Sequence, residues 1–212
     1  MKYGKLPHIV TVLPVKCEEF MFYQYLPIKT MGDAEIRKSH MEERLDPFQP
    51  LIGAACCDYV ALRGLSDFVE CYVYVTAKHM YQAVGCPFNR PGWHSDGFGT
   101  DDINYIWYNN NATVFNCCDF NLSSDDQTSL EEMNQQALPI GNVIYQNEVL
   151  LRLDQYSIHR VAEIKEATIR TFLKISISRD RYDLAGNSRN YRLNYNWPVR
   201  PRKESRNVPQ SL

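Results

Sequence analysis

The chain has 212 residues, 44% of them hydrophobic and 23% charged, with a formal net charge of −2. That balance is the composition of a soluble globular protein, and the length suits one domain over residues 1–212 with ample core. No run of about eighteen apolar residues could span a bilayer, so no membrane segment is expected.

No sustained apolar segment follows Lys2 and Lys5, so no signal peptide is expected, and the setting is read as reducing and cytoplasmic. The seven Cys include the adjacent pairs Cys56-Cys57 and Cys117-Cys118, which are poorly placed for a disulfide framework and are expected to be buried thiols. No Cys-x-x-Cys spacing supports a thiolate metal site.

Taken in order, residues 7–30 read as irregular and short extended segments, the clearest being 8–13 between Pro7 and Pro14. A helix is expected over 33–45, with Asp33 as N-cap and Asp46-Pro47 ending it. Its polar surface gives His40 no chemical role, and His8 has nothing near it to complete a site. The apolar run 50–62 suits a short buried helix closed by Gly64. Residues 68–77 are rich in β-branched and aromatic side chains and form the first firm strand. His79 follows it as a rim histidine.

The central stretch is Pro91-Gly92-Trp93-His94-Ser95-Asp96-Gly97-Phe98, introduced by turn chemistry over 86–92. Side chains on an extended segment repeat every two residues, so His94 and Asp96 share a face and can reach one ion. Gly97 and Gly99 then let the backbone bend away. Residues 103–109 form a strand with Ile103, Tyr105, Trp107 and Asn109 on one face. Further strands are expected at 112–122, 143–145 and 149–153, with a capped helix over 128–136 and a turn over 139–142. His159 lies in an apolar, strand-like run, and Arg170 follows inside another strand, 167–176.

Two His and one carboxylate on one face of an octahedral ion leave three positions open, the arrangement of non-haem Fe(II) oxygenases. The order His94-x-Asp96, a distant His159, then Arg170 resembles the Fe(II)/2-oxoglutarate-dependent dioxygenase family over roughly residues 70–180. The resemblance implies a mainly β fold with flanking helices (α+β) and a double-stranded β-helix (jelly-roll, cupin-like) core over about 68–180. An N-terminal helical and extended support would span 1–67. It implies Fe(II) held by His94, Asp96 and His159, 2-oxoglutarate as cosubstrate with its distal carboxylate on Arg170, and O2 as oxidant. Tyr105, Trp107 and Asn109 are the candidates for further cosubstrate contacts, with core packing the equal alternative. Phe172 stands where many members carry Ser or Thr, and Lys174, Arg152 and Arg160 are rival basic groups.

The substrate would be a small molecule, a peptide or a nucleotide. Residues 179–212 carry a net +5 against −7 for 1–178. This basic C-terminal extension, 181–212, could touch nucleic acid, although a solvated tail is the favoured reading. Two other classes share these residues: a cupin-like metal protein without 2-oxoglutarate, and a non-catalytic β-sandwich binding module.

Overall fold

A computed structural model describes residues 2–86 and 91–202, and among these described residues there are nine strands and three α-helices. The larger sheet has six strands in the order β1 (His8–Val12), β7 (Val149–Leu153), β4 (Ile103–Tyr108), β9 (Thr168–Ser178), β3 (Tyr72–Gln82), β2 (Met21–Lys29). The smaller sheet has the order β6 (Asn142–Ile144), β5 (Thr113–Asn116), β8 (His159–Val161). Every strand pairing is antiparallel. His94 extends the smaller sheet by a bridge to His159.

The pleat of the larger sheet sorts its side chains onto two faces. Val73, Val75 and Ala77 of β3, Ile103, Tyr105 and Trp107 of β4, and Leu173, Ile175 and Ile177 of β9 face the helical layer and share one buried cluster with it. That layer centres on α1 (Gln49–Arg63), which begins with Pro50 in its first turn and ends at Gly64. Leu51, Ile52, Ala55 and Tyr59 give it a buried stripe at helical spacing. The other face carries Thr76 and Lys78 of β3, Asn104 and Ile106 of β4, and Phe172 and Lys174 of β9, all walling one cavity.

Several sequence expectations change. The helix over 33–45 is replaced by two 3-10 turns, Lys38–His40 and Glu43–Phe48, leading into α1. Only Met41 and Leu45 of that stretch are buried, too narrow an apolar face to hold a helix, and the Asp33 carboxylate is taken by Thr30 and Arg37. The strand expected from 68 starts at Tyr72, because Leu65–Val69 winds into α2. The buried Lys29 ammonium receives the chain there, donating to the carbonyls of Phe68 (2.9 Å) and Cys71 (2.6 Å). Residues 21–29 form a full edge strand instead of an irregular segment, and the strand expected over 112–122 is confined to Thr113–Asn116. Of the two cysteine pairs read as buried thiols, Cys57 and Cys117 are exposed and Cys56 and Cys118 are half-buried, while the unpaired Cys71 is buried.

The basic C-terminal segment is no solvated tail over 181–202. Tyr182 stacks on Tyr74 at 4.2 Å between ring centroids, and its hydroxyl donates to Asp102 at 2.6 Å. Asn190 is wholly buried and donates to the carbonyls of Pro27 and His40, each at 2.7 Å. Among the described residues, no helix is long and apolar enough to cross a membrane.

Candidate metal centre

The two histidines meet because the backbone pairs them. His94 N–H donates to His159 O at 3.0 Å and His159 N–H donates back to His94 O at 2.9 Å. This is the reciprocal pair of an antiparallel ladder, so both side chains leave the smaller sheet on the same face. Their ring centroids lie 4.6 Å apart. Asp96, one pleat further along, enters the same space with its Oδ2 3.5 Å from His159 Nε2.

Each ring is oriented by a carbonyl two residues before it. His94 Nδ1 lies 3.0 Å from Gly92 O, and His159 Nδ1 lies 3.0 Å from Ser157 O. A carbonyl only accepts, so Nδ1 carries the proton in each ring and Nε2 carries the lone pair. Metal-ligating histidines are commonly oriented this way. The loop before His94 is held by α3 (Asp126–Gln136): Asn134 Oδ1 accepts Trp93 N–H at 2.9 Å. Gly92, at φ 76°, passes so close to Asn134 that a Cβ would lie 2.6 Å from its Oδ1.

Among the described residues, His94, Asp96 and His159 are the one group of three such side chains that could hold a metal ion, with ligand atoms within 4.8 Å of one another. Two neutral imidazole nitrogens and a carboxylate oxygen suit a divalent first-row ion. The Asp96 carboxyl is held well below its usual range: burial alone would raise it, and Lys174, His159 and His94 together outweigh that. Lys174 Nζ lies 2.8 Å from Asp96 Oδ2.

The triad opens into a cavity of about 500 Å³. Its walls come from the inner face of the larger sheet, from Gln24 and Tyr25 of β2, and from the C-terminal segment through Tyr182 and Leu184. Lys78 and Lys174 are its sheet-borne cations. Burial, and then the neighbouring charges of Arg170 and Lys174, push the Lys78 ammonium down to about 8.

Arg170 sits on the inner-face parity of β9 and is buried, but it does not wall the cavity. Its guanidinium lies over the rings of Phe172 and Tyr108, at 4.9 and 5.9 Å from their centroids. Nε donates to Asn110 O at 3.0 Å, and Nη2 is buried with no hydrogen-bond partner. Burial lowers its pKa to about 10.

The other candidate cosubstrate contacts lie elsewhere. Tyr105 and Trp107 are on the helical face of β4, where the Tyr105 hydroxyl donates to Asp58 at 2.8 Å and Trp107 Nε1 donates to Leu13 O at 2.9 Å. Asn109 fastens β9, its Oδ1 accepting the N–H of Thr171 at 2.7 Å. Arg152 is paired with Asp58 on that far face, and Arg160 lies over Trp93. His79 is also on the far face, bonded to Thr171 Oγ1 at 2.8 Å.

Sequence reasoning missed Tyr25, Lys78 and Asn104. Asn104 faces the cavity with Oδ1 accepting from Ser176 at 2.6 Å and Nδ2 buried without a partner. The available signal was parity: a polar residue between Ile103 and Tyr105 points opposite to both.

No protein-family model matches the sequence, and no curated protein matches it. Among solved structures, the fold is similar to the crystal structure of EvdO2 from Micromonospora carbonacea var. aurantiaca, with a TM-score of 0.41 and 12% identity. The likeness covers 64% of this chain and 62% of that one, so the chain spans less than two thirds of its length.

Proposed function

We propose that this chain is a non-haem Fe(II)- and 2-oxoglutarate-dependent oxygenase that hydroxylates an unactivated C–H bond. The observation that carries the reading is the reciprocal backbone pairing of His94 with His159, which puts two Nε2 lone pairs beside Asp96 at the wall of a cavity. The strand order supports it. One sheet runs β7-β4-β9-β3 and the other β6-β5-β8 with the His94 segment, strands largely alternating between them, which fits the double-stranded β-helix this reading expects.

When bound, Fe(II) and 2-oxoglutarate would supply the oxidising power, with succinate and CO2 as co-products. The chain's own residues do the placing. His94, Asp96 and His159 would hold the ion, leaving other positions for ligands. Arg170, whose buried Nη2 lacks an acceptor, would take the distal carboxylate. A guanidinium suits a carboxylate because its parallel N–H groups fix orientation as well as position. Ile106 and Phe172 give the cavity an apolar wall that limits water beside the ion.

A second reading, a metal protein that uses the same triad without 2-oxoglutarate, draws on the position of Arg170 behind Phe172 and outside the cavity wall. Anaerobic titration with Mn(II), with and without 2-oxoglutarate, separates the two through the melting temperature. Stabilisation by both together beyond metal alone supports the oxygenase; stabilisation by metal alone supports the second reading. Arg170→Ala should keep the metal response and weaken the 2-oxoglutarate response by about tenfold or more. Aerobic succinate release over a panel of amino acids, peptides and nucleotides then identifies the substrate class, and no release above background with any of them counts against the proposal.

A further inference from the structure

Asp96 is claimed from two directions. Its Oδ2 lies 2.8 Å from Lys174 Nζ and 3.5 Å from His159 Nε2, so the oxygen nearest the imidazole is the one the ammonium holds. Lys174 is 8% exposed, and its other polar neighbour is the Tyr25 hydroxyl at 3.5 Å, with the Tyr25 ring centroid 5.3 Å from Nζ.

Tyr25 is put there by an irregularity in β2. The register with β3 slips between Tyr23 and Leu26, and Tyr25 adopts φ 48° with its N–H on Thr76 Oγ1 at 3.0 Å. The bulge turns Tyr25 and Gln24 toward the cavity, while Met21, Leu26 and Ile28 stay in the core on the helical side. A bulky residue held at positive φ beside a cavity marks a position where side-chain placement outweighs backbone comfort.

A buried ammonium needs an anion, and so does a divalent ion. When an ion shares Asp96, Lys174 faces a dication across one carboxylate, and the two cations repel unless a second anion enters. We infer that Lys174 makes the metal ion and a carboxylate-bearing cosubstrate bind cooperatively at this site. With neither present, the ammonium is satisfied by Asp96; with both present, it is satisfied by the carboxylate of the incoming ligand. The inference rests on the metal reading above and adds which residue couples the two ligands. Linkage makes the coupling reciprocal: each ligand raises the affinity of the other by the same factor.

The test is anaerobic calorimetric titration of Mn(II) and of 2-oxoglutarate, each with and without the other, on the wild type, Lys174→Met, Lys174→Gln and Lys174→Arg. In the wild type, saturating 2-oxoglutarate should tighten Mn(II) by about thirtyfold or more. In Lys174→Met and Lys174→Gln, Mn(II) alone should bind about tenfold tighter than to the wild type, because its competitor for Asp96 is gone, and the enhancement should shrink to a few-fold. Lys174→Arg should keep the coupling. Mn(II) binding no tighter to the neutral variants, or a full enhancement retained in them, overturns the inference and leaves the metal site standing. The wild type supplies an arm independent of any substitution: 2-oxoglutarate should bind at least about tenfold more weakly without Mn(II), and equal binding overturns the coupling. Failure of Mn(II) to bind the wild type under either condition removes the metal reading and the inference together.

Discussion

At the scale of single residues, the candidate ligands are fixed by what surrounds them. Gly92 O and Ser157 O hold the Nδ1 protons, so His94 and His159 present the tautomer a metal needs before any metal arrives. At a hundred times its dissociation constant, an ion bound only by the folded chain adds about 2.7 kcal/mol. For a chain of this size that is a rise of about 5–10 °C in melting temperature. Mn(II) should raise the wild type by that amount and leave His94→Ala, His159→Ala and Asp96→Ala unmoved, as thermal denaturation at matched concentrations would show.

Lys78 gives a second residue-scale prediction. Its folded pKa is pushed from 10.5 down to about 8, first by burial and then by Arg170 and Lys174. Between those values the unfolded chain binds the extra proton, so stability rises with pH across that window and the penalty is fully present below about 8. The penalty is at most about 3 kcal/mol, less whatever solvent reaches the amine. Lys78→Met should therefore melt higher than the wild type at pH 7 and lose that advantage by pH 10.5. An equal advantage at both pH values would point to packing instead of charge.

The same scale shows how much of the site the sequence carries. His94 and Asp96 are readable because an extended segment repeats every two residues, and the order of the three ligands is a linear property of the chain. Tyr105 and Trp107 share the face that the same rule gives them with Ile103, but which face meets the cavity is not readable from it. All six residues of β4 are buried, and Asn104 is the one polar side chain on its inner parity beside Ile106 and Tyr108, so alternation marks the two faces only weakly. Tyr25 is hidden for another reason: a bulge adds a residue to one strand only, and a local pattern cannot register it.

At the scale of elements, the ligand-bearing segment depends on its neighbours. Gly92 combines φ 76° with the close approach to Asn134 of α3, and its carbonyl orients His94. Gly92→Ala forces the segment or the helix to move, at about 1–3 kcal/mol, and tilts the His94 ring. It should lower both the melting temperature and the Mn(II) affinity. Tyr105→Phe is the contrasting case. It removes one of the hydrogen bonds to Asp58 on the far face of the sheet, should cost about 1 kcal/mol, and should leave Mn(II) affinity unchanged. Equal loss of affinity in both variants would mean that Mn(II) reports general stability and not the triad.

Elements also differ in how legible they are. α1 and β9 announce themselves, one by an apolar stripe and the other by alternation of Leu173, Ile175 and Ile177 with polar residues. Residues 33–45 have helix-forming composition, but what they bury is decided by contacts far along the chain. Asn190 takes the His40 carbonyl, and Arg192 reaches Glu42 and Glu43. No local rule holds that information.

At the scale of the molecule, the C-terminal segment closes what the two sheets leave open. Its basic charge suggested a tail, yet Arg200 is spent on Asp183 and Arg202 on Ala185 O and Asn187 within the segment, while Arg181 reaches Tyr72 and Arg192 reaches Glu42 and Glu43. What docks it are the Tyr182 stack and the buried Asn190. Asn190→Ala removes two donations to backbone carbonyls and the acceptor of Arg192 N–H in a site with no solvent access. Leaving those groups unmet should cost about 2–3 kcal/mol, or about 4–12 °C in melting temperature. All three candidate ligands lie on other elements, so Mn(II) should still bind the folded variant with affinity near that of the wild type. The wall formed by Tyr182 and Leu184 should loosen, which limited proteolysis would register as faster cleavage within residues 183–202. Proteolysis unchanged alongside a full drop in melting temperature would show that Asn190 supports the core in general and does not hold the segment over the cavity.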